Sequence, residues 1–507
     1  MTHERESRRR FLKYAGATAA LVGASALGLD YLLNLGKEGS QPSATSITTT
    51  PDKTPPTIQD YKLVTNPDKV QNDKPYELDL SFTAEDLESA LDLSAVSLAF
   101  EPIYPPEIPK AAYTPEPNSF QTTYTLNPAS VSPDRKKATF SQPIAGFVGG
   151  KQYRTTIKVK DKAGNEAEIS VDNPYVREFE KLSGEGKKIG AFYYAWFEPW
   201  KWKTYDGTVH ENKKIYLGTP LLGEYSSKDP FVISKHIDWA TGHGIDFFLA
   251  SWWGQGGFID DTLRFRFLQN ELIGDIELGL IYESMGRLKV EGKGAEAQIK
   301  LDNPQNLKIL TDDFQYLATN YFLNPNYLKM KNKPVTFIYQ SKIFSGDVEH
   351  AIGTLRDVLQ NGGVQVYLIG DEVFWQNPNS VSESRLKSYD ALSAYNMVTW
   401  KEDIISNYEV SIDNQYKLWR VKANELGLDF MGSAQPGFND RLARPQANNT
   451  IIKKTPERFR KQISIAKEHS NGTFLITSFN EIHENTYIEP TVEDGFEYLQ
   501  VLKESLT

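Results

Sequence analysis

Two glutamates, Glu481 and Glu484, stand three residues apart just after an apolar run that ends Ser478-Phe479-Asn480. In a helical turn this spacing puts both side chains on one face, roughly 5–6 Å apart at Cβ. Repulsion at that range raises one pKa and leaves the other group ionised. Such a pair suits glycoside cleavage, in which one carboxyl gives a proton and the other takes one or steadies positive charge. A pair of surface acids at a helix start, where negative charge is favoured anyway, has the same local sequence. The element that carries the pair therefore has to decide. Competing chemistries lack their motifs. His483 lies between the two glutamates, but the spacing is not His-Glu-x-x-His, and His210, His236 and His243 are scattered, so no metal is implied. Gly-x-Ser-x-Gly is absent. The chain has no cysteine, which removes thiolate catalysis and disulfides.

From Lys188 onward, strand-like and helix-like segments alternate. Near-continuous apolar runs at 188–196, 245–253, 277–283, 334–340, 366–371, 391–396, 429–435 and 473–480 read as strands buried on both faces. Helical spacing appears over 231–240, 314–322, 348–359, 459–466 and 495–506. Eight such units predict an α/β fold, a (β/α)8 TIM barrel over residues 186–507, with a doubly wound open sheet as the alternative. No Gly-rich phosphate loop follows the first strand, which weakens that alternative. A barrel of this kind does its chemistry at the C-terminal strand ends. Those ends read Tyr193-Tyr194-Ala195-Trp196, Ser251-Trp252-Trp253, Tyr282-Glu283, Tyr339-Gln340, Asp371-Glu372, Tyr395-Asn396, Gln435-Pro436-Gly437 and Ser478-Phe479-Asn480-Glu481. Together they describe an aromatic-walled pocket rich in carboxylates. Glu481 and Glu484 are the expected catalytic residues. Tyr194, Trp196, Trp252, Trp253, Glu283, Tyr395, Asn480 and His483 are the expected substrate-binding residues.

The first third of the chain differs. Ser7-Arg8-Arg9-Arg10-Phe11-Leu12-Lys13 and the apolar stretch after it resemble a twin-arginine export signal, spanning residues 1–36 and either cleaved near Ala24-Ser25-Ala26 or retained as an anchor. Export of this type implies a prokaryotic protein at the cell surface or outside the cell, with any membrane tether confined to this segment. Residues 37–61, rich in Ser, Thr and Pro, read as a linker. Residues 62–178 carry short alternating runs separated by turns. Tyr153, Thr155, Ile157 and Val159 fall on one face, and Asp161-Lys162-Ala163-Gly164-Asn165 supplies a tight turn. These features predict an all-β immunoglobulin-like sandwich, acting as a spacer or binding carbohydrate. The net charge of -10 opposes binding to nucleic acid. Nine Trp and 26 Tyr are enough to furnish both core and sugar-stacking rings.

The segment Ser478-Phe479-Asn480-Glu481-Ile482-His483-Glu484-Asn485-Thr486-Tyr487-Ile488-Glu489-Pro490 resembles a conserved block of glycoside hydrolase family 99, the endo-α-mannosidases. Tyr193-Tyr194-Ala195-Trp196, Leu222-Gly223-Glu224-Tyr225-Ser226-Ser227-Lys228-Asp229-Pro230 with His236, Trp252-Trp253-Gly254, and Pro436-Gly437-Phe438-Asn439-Asp440-Arg441 are similar to its other blocks. The resemblance spans about residues 186–505. It implies a retaining hydrolase of α-mannosidic linkages acting on a polysaccharide or glycan without a cofactor. Glu481 would act as base toward the sugar 2-hydroxyl, and Glu484 as general acid/base around a 1,2-anhydro sugar. The sequence departs from the block at Ile482, where the family has Trp, and at Asn485, where it has Gly. A non-catalytic carbohydrate-binding protein on the same barrel is the alternative.

Overall fold

The computed structural model describes residues 51–65, 76–113, 115, 120–182, 186–205, 208–210, 213–445 and 450–506. The export segment and most of the expected linker lie outside them. No helix among the described residues is long and apolar enough to cross a membrane.

Residues 57–172 form two antiparallel four-stranded sheets. The strands are β1 (Thr57–Thr65), β2 (Tyr76–Glu85), β3 (Ser97–Ile103), β4 (Thr123–Thr125), β5 (Pro128–Val131), β6 (Lys137–Phe147), β7 (Gln152–Lys160) and β8 (Glu166–Asp172). Their orders are β1-β2-β6-β5 and β4-β3-β7-β8. Alternation puts Leu78, Leu80, Phe82 and Phe140 of one sheet into a common core with Leu98, Tyr153, Ile157 and Val159 of the other. Phe82 stacks on Phe140 at 4.6 Å. β1 starts at Thr57, inside the stretch expected to be linker. Ile58, Tyr61 and Leu63 pack against the core, a bulge between Gln59 and Lys62 shifting the alternation, and the Pro55-Pro56 pair marks the strand's start. The tight turn forms as expected: Lys160 pairs with Glu166, and Gly164 takes a φ of +94°.

The barrel strands are β9 (Lys188–Tyr193), β10 (Phe247–Trp252), β11 (Glu277–Tyr282), β12 (Lys333–Ile338), β13 (Tyr367–Asp371), β14 (Ala391–Ser393), β15 (Asp429–Met431) with β16 (Ser433–Ala434), and β17 (Thr473–Ile476). All pair in parallel, in chain order, and β17 returns to β9. The seventh strand is broken at Gly432: β15 pairs with β14, and β16 with β17. The Gly432 N–H turns away from the ladder to Ser470 Oγ at 2.8 Å. The ring of eight is therefore nearly closed, interrupted there.

Main helices on the outside are α1 (Pro230–Thr241), α2 (Pro304–Asn320), α3 (Val348–Asn361), α4 (Tyr408–Leu426), α5 (Pro456–His469) and α6 (Glu497–Glu504). Asp229, Asn303 and Thr455 cap α1, α2 and α5 from the side chain, each with Pro in the first turn. Those caps start α2 ten residues before the apolar spacing expected at 314. α1 is buried along almost its whole length, because Tyr113, Tyr175 and Phe179 cover the side that the barrel does not.

Candidate active site

A cavity of about 840 Å³ opens at the C-terminal ends of the barrel strands. Glu481 and Glu484 reach it from the turn after β17, and Glu283 from the end of β11. Glu481 caps the single turn Ile482–Glu484, its carboxylate accepting from His483 N at 3.2 Å, while its own N–H donates to Ser478 Oγ at 2.8 Å. Asn485 closes the turn with a φ of +57°. Only Gly and, less readily, Asn or Asp adopt that conformation without marked strain, so Asn fits where a Gly is otherwise expected.

Burial pushes Glu484 up to about 7, aided by the charges of Glu481 and Asp440; Arg444 and the hydroxyl of Tyr205 pull it down. Tyr205 donates to Glu484 Oε1 at 3.2 Å, and Arg444 does so at 3.2 Å. Oε2 of Glu484 is buried without a hydrogen-bond partner. Glu283 is pushed up to about 8, chiefly by burial and further by Glu481, Glu484 and Asp371, against a 2.6 Å hydrogen bond from Ser251. Three carboxyls that feel one another's charge around one cavity cannot all ionise at neutral pH. The cavity therefore holds proton donors and acceptors side by side.

Tyr194 and Tyr395 share a 2.6 Å hydroxyl–hydroxyl hydrogen bond at the wall, and burial holds both phenols protonated. Trp196 lies 4.5 Å from the Tyr194 ring and 6.2 Å from the Trp253 ring. Trp253 is 42% exposed and stands at the rim.

Seven of the ten expected residues line the cavity: Glu481, Glu484, Tyr194, Trp196, Trp253, Glu283 and Tyr395. Three do not. Trp252 is fully buried behind the wall, its indole N–H on Asp260 Oδ1 at 2.9 Å, because strand alternation sends Ser251 and Trp253 one way and Trp252 toward the helices. Asn480 clamps the Tyr194 backbone in both directions, at 2.8 and 2.9 Å, and so orients a wall residue rather than forming wall itself. His483 is buried against Phe197 and Tyr205, at 5.7 and 4.9 Å between ring centroids, and backs Tyr205. Tyr205, Arg444 and Lys201 line the cavity without having been expected there, and Tyr339, one of the expected strand ends, lines it without being among the ten. They lie on loops or past a strand end, where no periodicity flags them; Asp440 and Arg444, four apart and paired at 2.7 Å, were the available signal.

The dispersed sequence blocks converge beneath the site. His236 joins Tyr193 Oη and Glu489 Oε1, each at 3.0 Å; Tyr225 donates to Glu489 at 3.0 Å; and Asn480 reaches Tyr225 at 3.3 Å. This buried network fixes the base of the turn that bears the glutamates.

Residues 211–504 match the sequence model of Glycosyl hydrolase family 99. A mouse glycoprotein endo-alpha-1,2-mannosidase-like protein is 22% identical over 288 residues, 54% of this chain and 58% of that protein, so the chain matches less than two thirds of that relative's length. Among solved structures, a glycoside hydrolase-like protein superposes with a TM-score of 0.53 at 21% identity, over 64% of this chain and 96% of that one. The GH99 endo-alpha-mannosidase from Bacteroides thetaiotaomicron gives 0.50 at 20% identity, over 63% and 95%. At such identities the structural likeness speaks to the barrel fold.

Proposed function

The chain belongs to glycosyl hydrolase family 99 and is a glycoside hydrolase, and from that premise we propose that it cleaves α-mannosidic linkages in a polysaccharide or glycan with retention of configuration, using Glu481 and Glu484. The observation that carries this reading is Glu484: a carboxyl pushed up to about 7, lining the cavity beside Glu481, with one oxygen free of hydrogen bonds. A group with that pKa keeps its proton for donation near neutral pH and can take one back. Glu481 removes the proton of the sugar 2-hydroxyl. That oxygen bonds to C1 as the C1–O bond to the leaving group breaks, and Glu484 protonates the departing oxygen. Ionised Glu484 then takes a proton from water, whose oxygen bonds to C1 while the C1–O2 bond opens and Glu481 returns its proton to O2. Water is consumed and both carboxyls end as they began. Tyr395, Glu283, Tyr194 and the indoles of Trp196 and Trp253 hold the sugar. Ile482 is fully buried and outside the cavity lining, so this departure from the family sits behind the pair. Digesting a glycan panel and following the first-formed anomer by proton NMR tests the reading. Release of a reducing mannoside as the α-anomer is expected; no cleavage of any α-mannoside, or an inverted first product, would sink it.

The proposal extends to the remainder of the chain. Residues 1–36 would export the enzyme to the cell surface or beyond, supported by Ser7-Arg8-Arg9-Arg10-Phe11-Leu12-Lys13; Arg8→Lys with Arg9→Lys would leave activity inside the cell. The sandwich at about 62–178 would be immunoglobulin-like, supported by its strand orders, β1-β2-β6-β5 against β4-β3-β7-β8, which follow that fold's ABED and CFG sheets with one added edge strand.

A further inference from the structure

The Asp161–Asn165 turn plays no part in the proposed chemistry, yet it lies in a knot of three carboxylates. Carboxylate oxygens of Asp52, Asp86 and Asp161 all lie within 4.8 Å of one another. Asp86 and Asp161 are 3% and 2% exposed. Hydrogen bonds hold each carboxylate from behind: Thr54 N on Asp52 Oδ1 at 2.8 Å; Glu88 N and Ser89 N on Asp86 Oδ1 at 2.8 and 2.6 Å; Asn165 N and Nδ2 on Asp161, both at 2.8 Å. Asp52 Oδ2, Asp86 Oδ2 and Ser89 Oγ are buried without a hydrogen-bond partner. Among the described residues no Lys, Arg or His pairs with any of the three carboxylates, and Lys162, next to Asp161 in sequence, turns to Asp92 at 2.8 Å instead. Three carboxylates this close, two of them buried and one half-buried, repel one another unless a cation joins them.

We propose that Asp52, Asp86 and Asp161 bind one calcium ion at the end of the sandwich where β2 and β7 finish. All-oxygen donors favour a hard cation over zinc or copper. A cluster of carboxylates with a serine hydroxyl, set in no fixed octahedral arrangement, suits calcium's flexible shell of six to eight ligands better than the strict octahedron of magnesium. The three ligands come from the segment before β1, from the β2–β3 connection and from the β7–β8 turn. Asn165 Nδ2 also reaches the Asp52 carbonyl at 3.2 Å, so the cation would complete a clamp already begun. Its effect is to pin the segment just before β1 to the end of the sandwich, a strand's length from Lys151 and Val176, where the sandwich leads into the barrel.

The test uses the full chain stripped with EDTA and titrated with calcium by calorimetry, with thermal unfolding and limited proteolysis near residue 52 in parallel. One calcium per chain is expected, with a Kd on the order of 10⁻³ M or tighter and magnesium clearly weaker. Calcium should raise the unfolding temperature and slow cleavage. Asp52 precedes the first strand and its charge repels its neighbours, so in EDTA Asp52→Asn should melt no lower than the parent, yet bind calcium at least about tenfold more weakly, since affinity follows ligand charge. Asp413→Asn, at the other acidic cluster with Glu468 and His469, should bind as the parent does. No calcium binding at ~10 mM, well above that affinity range, would overturn the proposal. So would binding unchanged in Asp52→Asn, or binding lost in Asp413→Asn.

Discussion

At the seam between sandwich and barrel, Glu178 Oε2 accepts from Lys235 Nζ at 3.2 Å and from Trp239 Nε1 at 3.0 Å. Beside it Asp238 accepts from the N–H groups of Glu178 and Phe179 and from Tyr175 Oη, at 2.5, 3.1 and 2.9 Å, with Arg177 at 3.5 Å. In the cavity the buried carboxyls are less completely held: Glu283 has one hydrogen bond, from Ser251, and Glu484, held by Tyr205 and Arg444 at Oε1, keeps its other oxygen with none. Burial raises the cost of ionisation in both places. At the seam, burial still pushes Asp238 up to about 6, but Arg177 and the backbone N–H groups hold it below neutral and the charges become structure. In the cavity partners offset that cost only in part, and the shortfall appears as carboxyls that retain protons near neutral pH. On the proposed mechanism, the same residue type serves as joint or as reagent according to how completely its neighbours satisfy it.

The sharpest way to separate the two regions is to neutralise one group in each. Glu484→Gln should lower kcat by about 10²–10⁴-fold, the usual worth of a proton donor, while thermal unfolding at pH 8 shows no loss of stability. At the seam the pattern should invert. Lys235→Met leaves Glu178 buried without its counter-charge and should cost about 3–5 kcal/mol in denaturant unfolding. Activity per folded molecule should persist, because α1 lies outside the cavity. Pairing Lys235→Met with Glu178→Gln should recover much of the loss, the two sites being one interaction. If Lys235→Met abolished turnover without destabilising the fold, the contrast between joint and reagent would fail.

A third break uses pH. Glu283 titrates at about 8 in the fold, against an ordinary 4.5. A pKa raised on folding means that the folded chain holds its proton longer than the unfolded one. Stability at this group is therefore full below pH 4.5 and falls as pH rises toward 8. Glu283→Gln removes that slope. The variant should match the parent near pH 4 and gain on the order of 2–4 kcal/mol by pH 8, read from urea unfolding at both values, with substrate affinity reduced. A gap that failed to widen with pH would show that Glu283 is ionised in the fold at little cost.

The features legible in the sequence were those that repeat. Eight apolar runs foretold eight strands because a barrel strand is buried on both faces. For the same reason, the sequence could not say which of Trp252 and Trp253 looks into the cavity: with no polar face to mark alternation, parity is invisible until register is known. Glu481 and Glu484 were legible because they follow a strand end at helical spacing. Arg444 and Tyr205 were not, because a loop side chain finds its place through contacts far away in the chain, such as Tyr205 with His483, which no local pattern encodes. Asn480 and His483 sit in the expected segment, but contact with the site was read where support of it is found.

The finest test asks whether the partial satisfaction of Glu484 is itself tuned. Burial raises the pKa of Glu484, and Arg444 and then the Tyr205 hydroxyl, which donates to Oε1, pull it down, so the group settles at about 7. As a proton donor, Glu484 should give kcat/KM a limb that declines tenfold per unit above about pH 7. Tyr205→Phe removes a hydrogen bond that favours the ionised form, so the pKa should rise and the limb should move to higher pH by about half a unit, the worth of one modest hydrogen bond. Loss of a merely structural contact would lower the plateau and leave the limb in place. Movement of the limb separates the two roles, because only a group that exchanges hydrogen-bond energy with the acid can displace its titration.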